Sequence, residues 1–176
     1  MSVQTRLRPR PATDDDVQAL IDLRLAAASW LRSIGSDQWH NTARAINDIR
    51  SGVASGTTWV IDHGDQVAAT LTLAGPDFDF WTRDDDPHNA LYLYKFMVRD
   101  EHRGTGLGDR LLDWACTRAA AGGKAWLRLD CWRTNEALHR YYLDRGFEHL
   151  RTDVFPGRGS GALFQRSTAE PGTAGG

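Results

Sequence analysis

The segment Arg99–Ala115, RDEHRGTGLGDRLLDWA, could bind an anion. Gly104, Gly106 and Gly108 alternate directly before a run with helical spacing. Backbone amides in the first turn of a helix have no partner inside the helix and carry partial positive charge, and glycine lets an anion approach them closely. Because Arg103 adds a full positive charge, the segment predicts a cradle for a pyrophosphate group. A glycine-rich turn that only permits tight packing is the alternative interpretation.

Two other phosphate-binding loops fit this segment less well. A dinucleotide-binding G-x-G-x-x-G that starts at Gly104 would require glycine at position 109, where the chain has Asp109. A P-loop requires Gly-Lys followed by Ser or Thr, and no lysine directly follows these glycines. The sequence therefore disfavours a nucleotide-phosphate binder of either kind.

A second candidate is the carboxylate of Asp130, which lies within the apolar run LRLDCW. Side-chain alternation along a strand places Arg128, Asp130 and Trp132 on one face. A carboxylate inside such a strand needs either a charged partner or a function such as proton transfer. The sequence leaves two interpretations open: a functional carboxylate, or a salt bridge with Arg128 or with another basic residue such as Lys95.

Composition limits the class of protein. With 176 residues and a formal net charge of −2, the chain has no basic excess for binding nucleic acid. The first ten residues do not resemble a signal peptide and no apolar run has membrane-spanning length, so we expect a cytoplasmic protein without membrane association. The six histidines form no metal-binding motif, and Cys116 and Cys131 form no CxxC pair, so we expect no metal.

Hydrophobic periodicity and turn residues predict an α/β (α+β) fold with the order β-α-α-β-β-β-α-β-α-β-β. We expect a mixed sheet flanked by helices, formed by one domain over residues 1–166 and followed by a disordered tail over 167–176. The first helix is predicted to begin after a capping box of Thr13 and Asp16 and to end near Ser33. The other predicted elements are a first strand over 3–12, a second helix that ends near Gly56, strands over 57–62, 66–74 and 91–98, a helix from Leu107 closed by Gly122-Gly123, a strand over 125–132, a helix over 134–146 and strands over 147–155 and 161–166.

Two motifs in the second half of the chain resemble those of one enzyme family. Residues Arg103–Gly108 form R-x-x-G-x-G, which is similar to the acetyl-CoA signature of the GCN5-related N-acetyltransferases (GNAT). Asn135, Ala137, Tyr142 and Gly146-Phe147 form N-x-A-x(4)-Y-x(3)-G-F, which resembles the second signature of that family at the expected spacing. The two matches are independent and lie in the right order, so the chain is similar to this family in both residues and element order.

The resemblance implies a centrally splayed sheet, in which strand 91–98 diverges from strand 125–132 and the pantetheine arm of acetyl-CoA lies in the gap. The arm would pair with exposed backbone groups as an added strand does, and the pyrophosphate would rest on backbone amides of the glycine loop. Asn135 would hydrogen-bond the pantetheine, and it is also placed to cap a helix. The implied cofactor-binding residues are Phe96, Met97, Val98, Arg103, Gly104, Thr105, Gly106, Leu107, Gly108, Asp109 and Asn135.

The resemblance also implies two catalytic residues. Tyr142 matches the tyrosine that protonates the leaving thiolate in this family, and the alternative is that Tyr142 only packs in the core. Asp130 matches a glutamate proposed as the base in ribosomal-protein-type members, with a shorter side chain that a water could extend. A chain of waters that replaces the carboxylate altogether is the alternative for the base.

The acceptor amine is expected beside the loop after the first helix and the loop around residue 80. Aromatic walls with carboxylates at the rim suit a cationic amine, and the alternative is that these are ordinary loop residues. The segment 84–86 is expected to form a solvated turn of three aspartates. The expected acceptor-binding residues are Trp30, Gln38, Trp39, Phe80, Trp81 and Trp132.

These features together predict an enzyme that moves an acetyl group from acetyl-CoA, its co-substrate, to a primary amine of a small molecule or peptide. The amine would attack directly in a ternary complex. The alternative is a non-catalytic acyl-CoA-binding module that regulates a partner. We expect no metal, no nucleic acid and no membrane partner, and a homodimer is left open.

Overall fold

The computed structural model describes residues 7–38 and 41–169 of the chain. Within these residues the α-helices are α1 (Val17–Ser33), α2 (Thr42–Ala54), α3 (Leu107–Ala121) and α4 (Glu136–Leu143). The strands are β1 (Arg10–Pro11), β2 (Thr58–His63), β3 (Gln66–Ala74), β4 (Ala90–Val98), β5 (Trp126–Trp132), β6 (Glu148–Thr152) and β7 (Ser160–Ser167). Short 3₁₀ helices occur at Asp14–Asp16, Arg83–Asp85, Pro87–Asn89 and Asp100–His102.

The strands form one mixed sheet with the order β1-β2-β3-β4-β5-β7-β6. β4 and β5 pair in parallel, whereas the pairs β1–β2, β2–β3, β5–β7 and β6–β7 are antiparallel. Parallel neighbours need a crossover connection, which α3 supplies between β4 and β5. The mixed sheet and the order of helices and strands confirm the predicted fold class. None of the described helices combines the length and apolar composition that crossing a membrane requires.

The start of α1 is fixed by the capping box that the sequence predicts. The Asp16 carboxylate accepts hydrogen bonds from the backbone N–H of Thr13 at 2.8 Å and from its hydroxyl at 3.2 Å. Arg10 donates to the same carboxylate at 2.8 Å, so β1 and the start of the helix are held together. α1 ends at Ser33, as predicted.

The first strand is shorter than predicted. β1 spans only Arg10–Pro11, whereas the sequence predicts a strand over 3–12. Residues 1–6 of that prediction lie outside the described part of the chain. Proline has no N–H to donate to a ladder, so the RPRP repeat at this point limits regular pairing.

The last strand is longer than predicted at its C-terminal end. β7 continues to Ser167, one residue beyond the predicted end of the domain. Cys116 donates to the backbone carbonyl of Ser167 at 3.5 Å, which ties this end of the strand to α3. Residues 170–176, where most of the disordered tail was predicted, lie outside the described residues.

The described residues form two compact units. The first unit consists of the described residues up to Leu73 together with Lys95–Leu111, and the second consists of Ala74–Tyr94 and the described residues from Leu112 onward. Each unit buries its own apolar cluster, and burial of apolar area is the main stabilising term. The cluster of the first unit includes Leu20, Leu23, Ile49, Val60 and Met97. The cluster of the second unit contains Phe80, Trp81, Ala90, Tyr92 and Leu163.

Candidate active site

The glycine loop of the first unit presents open backbone to solvent. Gly104 and Gly106 have left-handed φ angles of 72° and 79°, a conformation that glycine adopts without strain. Among the described residues, no heavy atom lies within 4 Å of the position that a Cβ would occupy at either glycine. Leu107 is buried and anchors the start of α3 behind the loop. The loop of Gly104 and Gly106 therefore leaves an accessible space beside the start of α3 that an anion could enter.

The positive charge of this loop is held over an aromatic ring. The Arg103 guanidinium lies 4.9 Å from the centre of the Trp30 ring and 3.0 Å from the Asp100 carboxylate. Trp30 was expected to contact the acceptor, but the structure places its indole under the arginine of the glycine loop. Stacking of arginine on an exposed tryptophan restricts the guanidinium without neutralising it. Trp30 therefore supports the candidate anion site.

The strand that leads into this loop contains a backbone irregularity. Lys95 has a φ of 50°, which is left-handed and uncommon for a residue with a Cβ. The parallel pairing of β4 with β5 covers Ala90–Tyr92 and Trp126–Arg128, and both strands continue beyond it. The pairing of β4 with β5 thus ends well before either strand does, as expected for a splayed sheet. Phe96, Met97 and Val98, the expected pantetheine contacts, directly follow the irregular residue.

In the second unit, Asp130 is a half-buried carboxyl group with a raised pKa. Burial raises the pKa of its carboxyl, and the nearby carboxylate of Asp77 raises the pKa further. The nearby Ser160 hydroxyl and the positive charge of Arg158 lower this pKa in part. The net effect is a carboxylate with a raised proton affinity, which suits proton abstraction from an amine.

The salt bridges that the sequence offered as alternatives for Asp130 do not form. Arg128 instead donates to Gln165 Oε1 at 3.1 Å and to the backbone carbonyl of Asp85 at 2.7 Å, and its guanidinium lies over the Trp81 ring. Lys95 Nζ lies 3.7 Å from the carboxylate of Asp48 in the first unit. Both cations named as partners are thus engaged elsewhere.

A third cation, Arg158, acts on the Asp130 carboxylate through its positive charge. The sequence did not single it out. Its guanidinium donates to the Asp77 carboxylate at 2.7 Å and to the Asp79 carboxylate at 2.8 Å. It also lies 4.8 Å from the centre of the Phe80 ring. Arg158 therefore joins the loop after β3 to the connection between β6 and β7. The signal in the sequence was the alternation of glycine at 157, 159 and 161 around Arg158 and Ser160.

Tyr142 is buried among aromatic rings on α4. Its ring makes edge-to-face contacts with Phe147 and Tyr141, each with centroids 5.4 Å apart, and a tilted contact with Phe164 at 6.1 Å. Burial raises the pKa of its hydroxyl above the ordinary value of 10, and the neighbouring Cys131 and Tyr141 act in the same direction. Tyr142 therefore keeps its proton across the physiological pH range, as a general acid must.

Asn135 is the N-cap of α4, as the sequence allowed. Its side-chain oxygen accepts a hydrogen bond from the backbone N–H of Leu138 at 3.0 Å. The cap fixes the start of the helix that carries Tyr142. Trp132, the last residue of β5, is half-buried, and its carbonyl interacts with His139 Nε2 at 2.8 Å.

Two of the expected acceptor-binding residues are buried in the core of the second unit. Phe80 and Trp81 are 1% and 0% exposed and belong to the core of the second unit, because the loop after β3 folds back onto that core. Gln38 is buried in the first unit, and Trp39 lies outside the described residues. Of the expected set, Trp132 is the residue that shares a strand face with Asp130.

The predicted solvated turn is also only partly solvated. Asp85 is anchored by Arg151, whose Nη1 and Nη2 donate to the two oxygens of its carboxylate at 2.7 Å and 2.9 Å. The same arginine donates to the carbonyl of Phe80 at 3.0 Å. Asp84 and Asp86 are exposed, as expected. The loop after β3 is thus fixed onto β6 by one arginine.

Comparison with known proteins agrees with the two motifs. The model of the acetyltransferase (GNAT) family matches residues 22–147. A protein of Bacillus subtilis (strain 168), named as the uncharacterized N-acetyltransferase YesJ, is 33% identical over 150 residues, which cover 82% of this chain and 83% of that protein.

Solved structures share the fold. A GNAT family acetyltransferase from Streptococcus agalactiae 2603 has a TM-score of 0.76 at 18% identity, covering 94% of this chain and 98% of that chain. The PaiA N-acetyltransferase from Thermoplasma acidophilum, solved in complex with coenzyme A, has a TM-score of 0.67 at 17% identity, covering 93% of this chain and 99% of that chain. With a family match over more than half of its length and a relative of this identity, the chain belongs to the acetyltransferase (GNAT) family.

Proposed function

We propose that this acetyltransferase moves an acetyl group from acetyl-CoA to a primary amine of a small molecule or a peptide, by direct attack in a ternary complex. The observation that carries the proposal is the exposed loop of Gly104 and Gly106, open where a Cβ would stand and reinforced by Arg103, in a chain of this family. Asp130 and Tyr142 of the second unit favour an enzyme over a module that only binds acyl-CoA. A binding module needs neither a carboxylate of raised proton affinity nor a protonated phenol.

The residues of the first unit fit the proposed co-substrate. The loop from Arg103 to Asp109 offers amides, glycines without a Cβ in the way, and one cation, which together suit a pyrophosphate. The backbone of Phe96–Val98 would pair with the amides of the pantetheine arm. When bound, the co-substrate supplies an activated thioester carbonyl.

Asp130 would accept the proton of the attacking amine. Because burial raises its pKa, the carboxyl becomes protonated at a higher pH than an ordinary aspartate. The base is active only in its ionised form, so activity is expected to fall as the pH is lowered through that raised pKa.

Tyr142 would donate its proton to the departing sulfur. Its hydroxyl stays protonated because burial opposes ionisation, and α4 holds the ring through its aromatic contacts. Trp132, on the same strand face as Asp130, is the aromatic residue that we propose for contact with the acceptor. A cationic amine is attracted both by an aromatic face and by the neighbouring carboxylate.

A thiol-release assay tests the proposal. Purified protein with acetyl-CoA is screened against polyamines, aminoglycosides, amino acids and peptides, and release of free coenzyme A is measured. We expect amine-dependent release with at least one class, lost in Asp130→Asn and strongly reduced in Tyr142→Phe. Binding of acetyl-CoA by calorimetry without release from any amine would instead favour the non-catalytic module.

A further inference from the structure

The connection between β6 and β7 is built on alternating glycines. Gly157, Gly159 and Gly161 flank Arg158 and Ser160. Gly157 and Gly161 have φ angles of 77° and 133°, and a Cβ at Gly159 would collide with the Trp132 ring. This segment therefore has a conformation and a packing distance that larger residues could not adopt.

A β-bulge at Gly161 decides which way Ser160 points. β5 and β7 pair with Asp130 opposite Leu163 and Cys131 opposite Ala162, but Trp132 then pairs with Ser160 rather than with residue 161. Opposed residues in an antiparallel pair share a face, and a shift of one residue moves a side chain to the other face. Without the bulge, Ser160 would lie opposite residue 133 and face away from Asp130.

The bulge itself depends on glycine. The backbone carbonyl of Gly161 accepts a hydrogen bond from the N–H of Asp153 at 2.8 Å. A Cβ at Gly161 would collide with the carbonyl oxygen of Asp153, which belongs to the backbone and cannot move aside as a flexible side chain could. The chain thus maintains a bulge that only glycine fits, and this bulge places the Ser160 side chain on the strand face of Asp130.

We propose that Ser160 is a positioning residue for acetyl transfer: its hydroxyl, turned toward Asp130 by the Gly161 bulge, orients the carboxylate and keeps it in the ionised form that accepts the proton of the amine. This inference rests on the proposed role of Asp130 as the base. A hydroxyl that donates to one carboxylate oxygen stabilises the ionised form and fixes the direction of the second oxygen.

Other groups around Asp130 cannot replace this hydroxyl. Arg158 acts on the carboxylate through its charge while its own donors are used by Asp77 and Asp79. Tyr94 donates its hydroxyl to the carbonyl of Gly75 at 2.7 Å, so that hydroxyl is engaged. The titratable groups coupled electrostatically to Asp130 are Asp77, Tyr94, Cys131, Tyr142 and Arg158, of which Cys131 lies on the opposite face of β5.

The test compares Ser160→Ala with Ser160→Thr, which keeps a hydroxyl, and with Ser167→Ala, a control on the same strand. The pKa of the Asp130 carboxyl is measured by carbon-13 NMR in the free protein, and the pH profile of kcat/KM is measured with an accepted amine. In Ser160→Ala we expect the pKa of Asp130 and the acid limb of the profile to rise together by about one pH unit. Ser160→Thr should restore much of the wild-type profile, and Ser167→Ala should match wild type.

A folded Ser160→Ala variant with an unchanged Asp130 pKa would overturn the inference. A shift in the Asp130 pKa without a matching shift in the acid limb of the kcat/KM profile would also overturn it. Failure of the proposed function has a different signature. In that case the wild type releases no coenzyme A with any amine, or the Asp130→Asn variant keeps full turnover. The NMR titration still reports whether Ser160 holds the Asp130 carboxylate in its ionised form.

Discussion

Replacement of Arg151 by methionine should destabilise the second unit by an amount that the structure allows us to estimate. Arg151 lowers the pKa of Asp85 from 3.8 to about 2, with a smaller contribution from Thr82, while burial opposes the effect. The Asp85 side chain is 12% exposed but that of Arg151 is 35% exposed, so solvent screens this pair in part and the full pKa difference is an upper limit. A difference of about two pH units corresponds to about 2–3 kcal/mol at about 1.4 kcal/mol per unit.

Because Thr82 would still donate to Asp85 in the variant, we expect a loss of about 2 kcal/mol in the free energy of unfolding at pH 7. For a chain of this size, that loss corresponds to a decrease in Tm of about 4–8 °C. The pKa of Asp85 is lower in the folded state than in the unfolded state. The contribution of the pair is therefore complete above pH 3.8 and disappears as the pH falls toward 2.

Urea unfolding at a series of pH values measures this effect, with Arg140→Met as a control because Arg140 is exposed on α4. The difference in the free energy of unfolding between wild type and Arg151→Met should be largest near neutral pH and should decrease in acid. A variant as stable as wild type at pH 7, or a gap that is the same at pH 7 and pH 3, would refute the assignment of this energy to the ion pair.

Three further predictions concern the candidate site. Gly106→Val should weaken acetyl-CoA binding at least tenfold by calorimetry, since the valine side chain would occupy the space proposed for the pyrophosphate. Gly35→Val, at another open left-handed glycine, is the control for backbone strain. Equal acetyl-CoA affinity in the two variants would contradict the cradle. Tyr142→Phe should lower kcat by about 10²- to 10⁴-fold with little change in acetyl-CoA affinity. Since burial raises the pKa of Tyr142, the pH profile of kcat should show no alkaline limb from this residue near physiological pH. Full turnover in the phenylalanine variant would show that the ring only packs. Gly161→Ala should cost about 2–4 kcal/mol in urea unfolding, because its Cβ meets backbone, and a stability equal to that of wild type would show that the bulge tolerates a side chain.

Local signals made much of the fold predictable. The capping box of Thr13 and Asp16 and the apolar stripe of Leu107, Leu111 and Ala115 depend on residues three or four positions apart, so both can be identified in a sequence. The left-handed glycines of the loop before α3 are also local, since only their own backbone geometry and a lack of neighbouring atoms are required. The capping box and the apolar stripe were predicted correctly, whereas the left-handed φ angles of these glycines are seen only in the structure.

The surroundings of Asp130 could not be predicted in the same way. Ser160 lies thirty positions further along the chain, and a one-residue bulge between two strands decides whether its side chain shares the face of Asp130. Arg128 is held by Gln165 and by the carbonyl of Asp85, which are also distant in sequence. Burial of Phe80 and Trp81 likewise depends on how the loop after β3 folds back, with Arg151 as its anchor. Aromatic residues near carboxylates suggested a pocket, whereas long-range packing made them part of the core.

The exposed amides of the glycine loop also have a consequence for how long this protein persists in a cell. A ligand that binds only the folded chain stabilises it by mass action, by about 2.7 kcal/mol when its free concentration is a hundred times its Kd. Proteases that act on the transiently opened chain would then find about a hundredfold less of it. Coenzyme A and acetyl-CoA share the pyrophosphate that this loop is proposed to hold, so either form would protect the folded chain. Abundance would thus follow the total coenzyme A pool without any change in gene expression.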